Sequence, residues 1–362
     1  MSVKSTYPVQ LIQPDGRRVL NREYGQMVSD IGPTQLRQLY EDLVVVRRID
    51  SEATALQRQG ELALWVPLQG QEAAQVGSAH ALEPDDFVFQ SYREMGVCYC
   101  RGVPPSDILP MWRGVALSGW DPYEFNITNP GIVVGSQGLH ATGYAYGAHL
   151  DGADIAVVTY FGDGASSQGD MAEAMVFAST WSVPLVFFCQ NNHWAISVPV
   201  ETQSSTPLAQ RASGYGIPNV QVDGNDVLAV LAVTRKALKH VREGNGPFYI
   251  EALTYRMGPH TTSDDPTRYR TQAELEIWKA RDPILRMRRL LENEGLFDAE
   301  FESRVQAKAD VIATDLRAAT IAWETPPPLT LFDNVYSTPH SLLEDEKAEY
   351  AQYLADGEEV AS

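Results

Sequence analysis

Two uninterrupted apolar runs constrain this chain most: IAVVTYF at 155–161 and the first part of PLVFFCQNN at 184–192. Both have strand length, and neither alternates with polar residues. A strand that is apolar on both faces must be covered on both, the condition inside a parallel sheet flanked by helices. Between the runs, QGDMAEAMVFASTWS (168–182) sets Met171, Met175, Ala178 and Trp181 at helical spacing. Further along, NVQVDGND (219–226) reads as a short strand and turn. VLAVLAVTRKALKHVREG (227–244) reads as an amphipathic helix stopped by Gly244, and PFYIEALTYR (247–256) as another strand. Strands alternating with helices predict an α/β fold with a parallel sheet and helices on both faces.

The flanks fit around this centre. Residues 1–33 carry Pro8, Pro14, Gly16 and Pro33 and predict an extended N-terminal arm. Helical spacing runs through 34–60 and 70–82, whereas 102–131, rich in Pro, Gly and aromatics, predicts a long functional loop region. Residues 272–322 read as two charged helices, followed by a Pro-rich crossing and a last helix at 341–356. The division expected is an arm (1–33), one α/β domain (34–325) and a C-terminal crossing and helix (326–362).

The first run ends in GDG, with Asp163 between Gly162 and Gly164; the second ends in Asn191 and Asn192. Parallel strands bring both ends to one sheet edge, where open α/β sheets bind ligands. A carboxylate and an amide oxygen are hard ligands suited to Mg²⁺, which takes its remaining oxygens from backbone, water and phosphate. The glycines permit close approach of a phosphate, and the helix starting near Ser167 aims its free N–H groups at the same anion. The stretch therefore reads as a magnesium-diphosphate cradle.

Composition narrows the classes. A net charge of −19 argues against nucleic acid. Three sparse cysteines argue for a reducing compartment. The N-terminus lacks a secretory apolar stretch and no run approaches a membrane span, so a cytoplasmic protein with no membrane association is expected.

GDG, a 26-residue spacer and NN resemble the signature of thiamine-diphosphate enzymes. The chain is similar, from about residue 35 to 353, to the alpha subunit of the decarboxylating component of 2-oxo acid dehydrogenase complexes. FQSYREMGV (89–97), GSQGLHATGYAYG (135–147), NNHWAISVP (191–199), YGIPNVQVDGNDV (215–227), EALTYRMGPHTTSDDPTRYR (251–270) and PLTLFDNVY (328–336) carry that likeness. It implies the thiamine-diphosphate-binding fold, with Mg²⁺ on Asp163, Asn192 and the main-chain carbonyl of Trp194. It places Gly162, Gly164, Ala165, Tyr92, Arg93, Arg256 and His260 around the diphosphate, with His260 as the catalytic histidine. The carbonyl of Ile132 and the N–H of Val134 would hold the aminopyrimidine, and Leu64, Trp65, Tyr92 and Val134 would line the substrate pocket. Ser136 and Gln137 match a structural K⁺ site of some relatives. The polar loop GPHTTSDDPTRYR is expected to order on cofactor binding.

The resemblance further implies oxidative decarboxylation of a small 2-oxo acid and acyl transfer to a lipoyl-bearing acyltransferase. The activating glutamate would come from a beta subunit in an α₂β₂ heterotetramer. YREMGV, VDGNDV, TSDDPTRYR and LFDNVY resemble the branched-chain (2-oxoisovalerate) type more than the pyruvate type; a pyruvate or acetoin dehydrogenase alpha subunit and a noncatalytic scaffold subunit are the alternatives.

Overall fold

Phe87–Phe89 (β1), Val157–Gly162 (β2), Leu185–Asn191 (β3), Asn219–Asp223 (β4) and Phe248–Leu253 (β5) form one sheet in the order β1-β2-β3-β5-β4. Every neighbouring pair is parallel. The computed structural model describes residues 8–361, and side chains as far as 357; the first seven residues of the expected arm lie outside the described residues. In β2 and β3 successive side chains enter opposite cores. Val158, Tyr160, Val186 and Phe188 join one, while Val157, Phe161, Phe187 and Cys189 join the other. Both faces of each strand meet apolar cores, with Thr159 the one small polar side chain buried in the middle of β2, which is why the two runs do not alternate.

The first core is covered by Pro33–Arg58 (α1), Glu72–Ala79 (α2), and, after the two longer helices that lie between them in the chain, Val227–Arg242 (α5). Those two, Ser136–Asp151 (α3) and Gly169–Trp181 (α4), cover the second. α5 begins where Asp226 accepts the Ala229 N–H at 3.0 Å and ends before Gly244, whose φ of +74° suits glycine. Residues 8–12 run beside β4: Val9 bridges Val222, and the N–H groups of Leu11 and Ile12 donate to Asp226 Oδ2 at 2.7 and 2.5 Å. A short helix, Arg22–Gly25, follows.

The structure corrects two expectations and adds a strand that none foresaw. Residues 272–322 hold three helices, not two: Gln272–Lys279, Pro283–Asn293 (α6) and Ala299–Ala322 (α7). Asp282 caps α6 through the N–H groups of Ile284 and Leu285, and Asp298 caps α7 through Phe301, so the helix restarts twice. The region 102–131 contains three one-turn helices, Pro105–Ile108, Pro110–Arg113 and Pro122–Phe125, each opened by a proline. β1, three residues long, carries too little pattern to be read from sequence. The chain closes with a largely exposed helix, Ser341–Ala361 (α8). Among the described residues no helix is long and apolar enough to cross a membrane.

Candidate active site

The carboxyl ends of β1, β2, β3 and β5 open onto one cavity of about 240 Å³. β3 pairs with β5 rather than with β4, which lies at the sheet's edge, and the cavity opens at the carboxyl edge, where open parallel sheets bind ligands. Ser91–Glu94 enter after β1, Gly162–Ala165 after β2, Asn192 and Trp194–Ile196 after β3, and Arg256 and His260 after β5.

The turn after β2 buries a carboxylate. Asp163 is 1% exposed, and burial raises its pKa from the usual carboxylate range to about 6. Its Oδ2 accepts from Gln203 Nε2 at 3.1 Å. Asn192 Oδ1 accepts the Trp194 N–H at 3.2 Å, and the Trp194 carbonyl accepts from Arg256 Nη1 at 2.8 Å. Gly164 is fixed by a neighbour: an added Cβ would lie 2.9 Å from Ala195 Cβ, in the hairpin Trp194–Ala195/Val198–Pro199. That hairpin is strained. His193 and Ile196 have φ of +70° and +56°, rare for non-glycine residues and severe for a β-branched one. Arg256 Nη2 donates to the Ile196 carbonyl at 2.7 Å and helps hold it.

The cavity is rich in cations that have no anion. Arg93 and Arg256 are both buried, and neither forms an ion pair with a carboxylate among the described residues. Arg93 donates to the carbonyls of Pro67 and His260, the latter at 3.0 Å. Arg256 reaches two carbonyls and the Tyr269 hydroxyl at 2.9 Å, while its Nε has no partner. Burial, and for Arg93 the neighbouring Arg256, lowers both guanidinium pKa values, that of Arg93 to about 10. Buried charge without a counter-charge is costly, so the arrangement suits an anionic ligand. The same surroundings act on His260: burial first, then Arg93 and Arg256, lower its pKa to about 3. Arg93 Nη2 lies 3.1 Å from His260 Nδ1. An arginine only donates, so Nδ1 accepts and the proton of the neutral ring sits on Nε2.

Of the residues named from sequence, Tyr92, Arg93, Val134, Gly162, Asp163, Gly164, Ala165, Asn192, Trp194, Arg256 and His260 line this one cavity. Ile132 does not; its side chain is 53% exposed. Leu64 and Trp65 are also outside. Trp65 is fully buried, donates from Nε1 to Asp50 Oδ1 at 2.8 Å and packs on Trp112, while Leu64 packs partly buried against the first core. Trp65 instead supports the polar loop, since its carbonyl accepts the Thr262 N–H at 2.9 Å. Ser136 Oγ donates to the Val133 carbonyl and Gln137 Nε2 to that of Tyr160, each at 2.9 Å. Glu94, Gln190, Gln71 and Gln203 also bear on the site and were missed. They lie far from GDG and NN in sequence or within apolar runs, and no spacing marks them.

Residues 40–327 match the family described as dehydrogenase E1 component. The chain belongs to that family. It is 47% identical over 313 residues to the 3-methyl-2-oxobutanoate dehydrogenase subunit alpha of Mycobacterium tuberculosis, covering 86% of this chain and 84% of the relative. It is 41% identical over 309 residues to the pyruvate dehydrogenase E1 component subunit alpha of Staphylococcus epidermidis, covering 84% and 82%. The corresponding Staphylococcus aureus subunit is 40% identical over the same length. Membership in the E1 family implies thiamine diphosphate as the cofactor and, for an alpha subunit, a beta-subunit partner.

Proposed function

We propose that this chain is the alpha subunit of an E1 component that decarboxylates branched-chain 2-oxo acids of the 3-methyl-2-oxobutanoate class. The observation that carries the reading is the pairing of two buried guanidiniums that lack a counter-charge with a buried carboxylate in one cavity at the sheet's carboxyl edge. A diphosphate supplies the missing negative charge, and a divalent cation supplies the positive charge that Asp163 lacks. The donor set fits: Asp163, Asn192 Oδ1 and the Trp194 carbonyl are three hard oxygens, and Mg²⁺ completes its shell from phosphate and water. Arg93, Arg256, Tyr92 and the backbone N–H groups of Gly164 and Ala165 would hold the phosphates. Thiamine diphosphate, when bound, supplies the nucleophilic carbon and the electron sink for decarboxylation.

His260 is neutral and offers a proton at Nε2, so it can donate to substrate or cofactor without adding a third positive charge. Val134 and Ile196 add apolar side chains to the cavity lining. The two carboxylates lining the cavity are Asp163 and Glu94. Glu94 is spent: Oε2 accepts from Ser91 N–H, Ser91 Oγ and Arg93 N–H, and Oε1 from Gln190 Nε2. The family likeness assigns the activating glutamate to a beta subunit in an α₂β₂ assembly and the acyl group to a lipoyl-bearing acyltransferase, and the full engagement of Glu94 supports that reading. The 47% against 41% identity favours the branched-chain substrate over pyruvate.

The test is CO₂ release by the chain reconstituted with its beta partner, thiamine diphosphate and Mg²⁺. Turnover should require both chains, with a higher kcat/KM for 3-methyl-2-oxobutanoate than for pyruvate. Asp163→Ala should weaken Mg²⁺-dependent cofactor binding by at least the roughly 10–100-fold that losing a supporting contact costs a metal site. Activity of the chain alone, or cofactor binding unaltered in Asp163→Ala, refutes the proposal; preference for pyruvate reassigns the substrate.

A further inference from the structure

Resting on the metal-diphosphate reading, we infer that Gln203 and Gln71 are positioning residues that orient the two side-chain metal ligands, each from the side away from the ion. Gln203, 40 residues beyond Asp163, donates from Nε2 to Asp163 Oδ2 at 3.1 Å. This pins one carboxylate oxygen and leaves Oδ1 as the atom to coordinate. Gln203 is itself held at both ends. Its Oε1 accepts from Ser167 Oγ at 3.2 Å, and its main-chain carbonyl accepts from Arg211 Nη2 at 3.0 Å. The same Arg211 donates from Nη1 to the Ser166 carbonyl at 2.9 Å, and Ser166 Oγ donates to the Asp163 carbonyl at 2.6 Å. The GDG turn is thus clasped from outside by one glutamine and one arginine.

Gln71 does the corresponding work for Asn192. Its Oε1 accepts from Asn192 Nδ2 at 3.2 Å. An amide whose NH₂ is taken must present its oxygen on the other side, so Gln71 selects the orientation in which Asn192 Oδ1 is the ligand. Gln71 is 0% exposed and lines the cavity, and its Nε2 has no partner. A buried amide donor left open at the edge of an anion site matches a phosphate oxygen. Its backbone is fixed as well: Gly70 has φ of +96°, a Cβ there would lie 2.3 Å from the Tyr255 carbonyl, and the Gly70 N–H donates to Glu72 Oε2 at 3.0 Å.

The chemistry predicts a loss of metal affinity without loss of fold. Gln203→Met and Gln71→Met keep length and bulk and delete the amide. Each, as the full chain with its beta partner and thiamine diphosphate, is titrated with Mn²⁺ and followed by electron paramagnetic resonance. We expect Mn²⁺ affinity to fall about 10–100-fold in each, the range for loss of such supporting contacts. The metal-free melting midpoint of Gln203→Met should move by no more than about 2–4 °C, the scale of one hydrogen bond. Mn²⁺ affinity within about twofold of wild type in both variants, while Asp163→Ala loses it, overturns this inference alone. A much larger fall in the metal-free midpoint shows a prop of the fold rather than a positioning residue and also overturns it. Wild-type Mn²⁺ affinity in Asp163→Ala instead removes the metal reading beneath it.

Discussion

His260 shows how single side chains in this cavity depend on a charge that the protein does not itself provide. Burial and two guanidiniums hold it neutral, with a pKa near 3. A diphosphate between Arg93 and Arg256 would cancel much of that repulsion, so its binding must raise the histidine pKa, because a nearby anion favours the imidazolium. The sign gives a direct measurement. By NMR of the ring protons in the chain with its beta partner, His260 should not titrate between about pH 5 and 8 without ligand, since its ordinary pKa of about 6.5 is pushed well down. Added pyrophosphate should shift its titration upward. A midpoint near 6.5 without ligand, or no response to pyrophosphate, would contradict the placement of His260 beside two cations that lack a counter-charge. The strain at Ile196 and His193 belongs to the same scale, since residues at unusual φ sit in the hairpin that presents the Trp194 carbonyl.

At the scale of elements, the polar loop after β5 is held by a few bonds that converge on one phenol. Tyr269 Oη accepts from Arg256 Nη2 at 2.9 Å and donates to Asp264 Oδ2 at 2.5 Å, and that same Oδ2 accepts the His260 N–H at 2.7 Å. Beyond these, Arg270 donates to the carbonyls of Arg256 and Met257, and Thr262 binds Trp65. Few apolar side chains share the task, so Tyr269→Phe should release residues 258–270. We expect faster hydrogen exchange there with little change in β2 or β3, and recovery of protection on adding thiamine diphosphate and Mg²⁺. Exchange rates equal to wild type would show that the loop is held by something else. The elements also explain what was readable in advance. β2, β3 and α4 were legible because both faces of each strand meet apolar cores. Asp163 and Asn192 were legible because they sit at the ends of readable strands, whereas Arg93 and Arg256 were legible only through the family likeness of FQSYREMGV and EALTYRMGPHTTSDDPTRYR. β1 was not, since three residues carry no period, and neither was Gln203, whose relation to Asp163 exists only after folding. The helix restarts at Pro283 and Ala299 were hidden by charged residues that continue a helical spacing across Asp282 and Asp298.

For the whole molecule, the buried carboxylates set how stability responds to pH, and they tie the core to the site. Asp50 on α1 is 3% exposed; its Oδ1 accepts from Trp65 Nε1 and from the Leu68 N–H at 3.1 Å. Between these two residues lies Pro67, whose carbonyl takes Arg93. The helix therefore fixes the segment that fixes the guanidinium. Burial raises the Asp50 pKa to about 6, and Asp226, which anchors residues 11 and 12 to α5, is raised to about 6 for the same first reason. The unfolded value is near 3.9, so between about pH 4 and 6 the folded chain binds more protons than the unfolded one. Stability from these groups is fully present below that interval and is lost as pH rises through about 6. The net charge of −19 at pH 7 acts in the same direction, since self-repulsion grows as carboxylates ionise. Groups such as Asp264, held below the usual range by the Tyr269 hydroxyl despite partial burial, act oppositely and only below about pH 4. Urea midpoints of the metal-free protein should therefore fall between about pH 4 and 6 and level off above. In Asp50→Asn, which keeps an oxygen to accept from Trp65 and Leu68 but cannot ionise, the fall should be shallower, with the variant gaining on wild type as pH rises. Parallel curves for the two proteins would mean that Asp50 is not ionising in this range, and that its burial is not what makes the folded state prefer a proton.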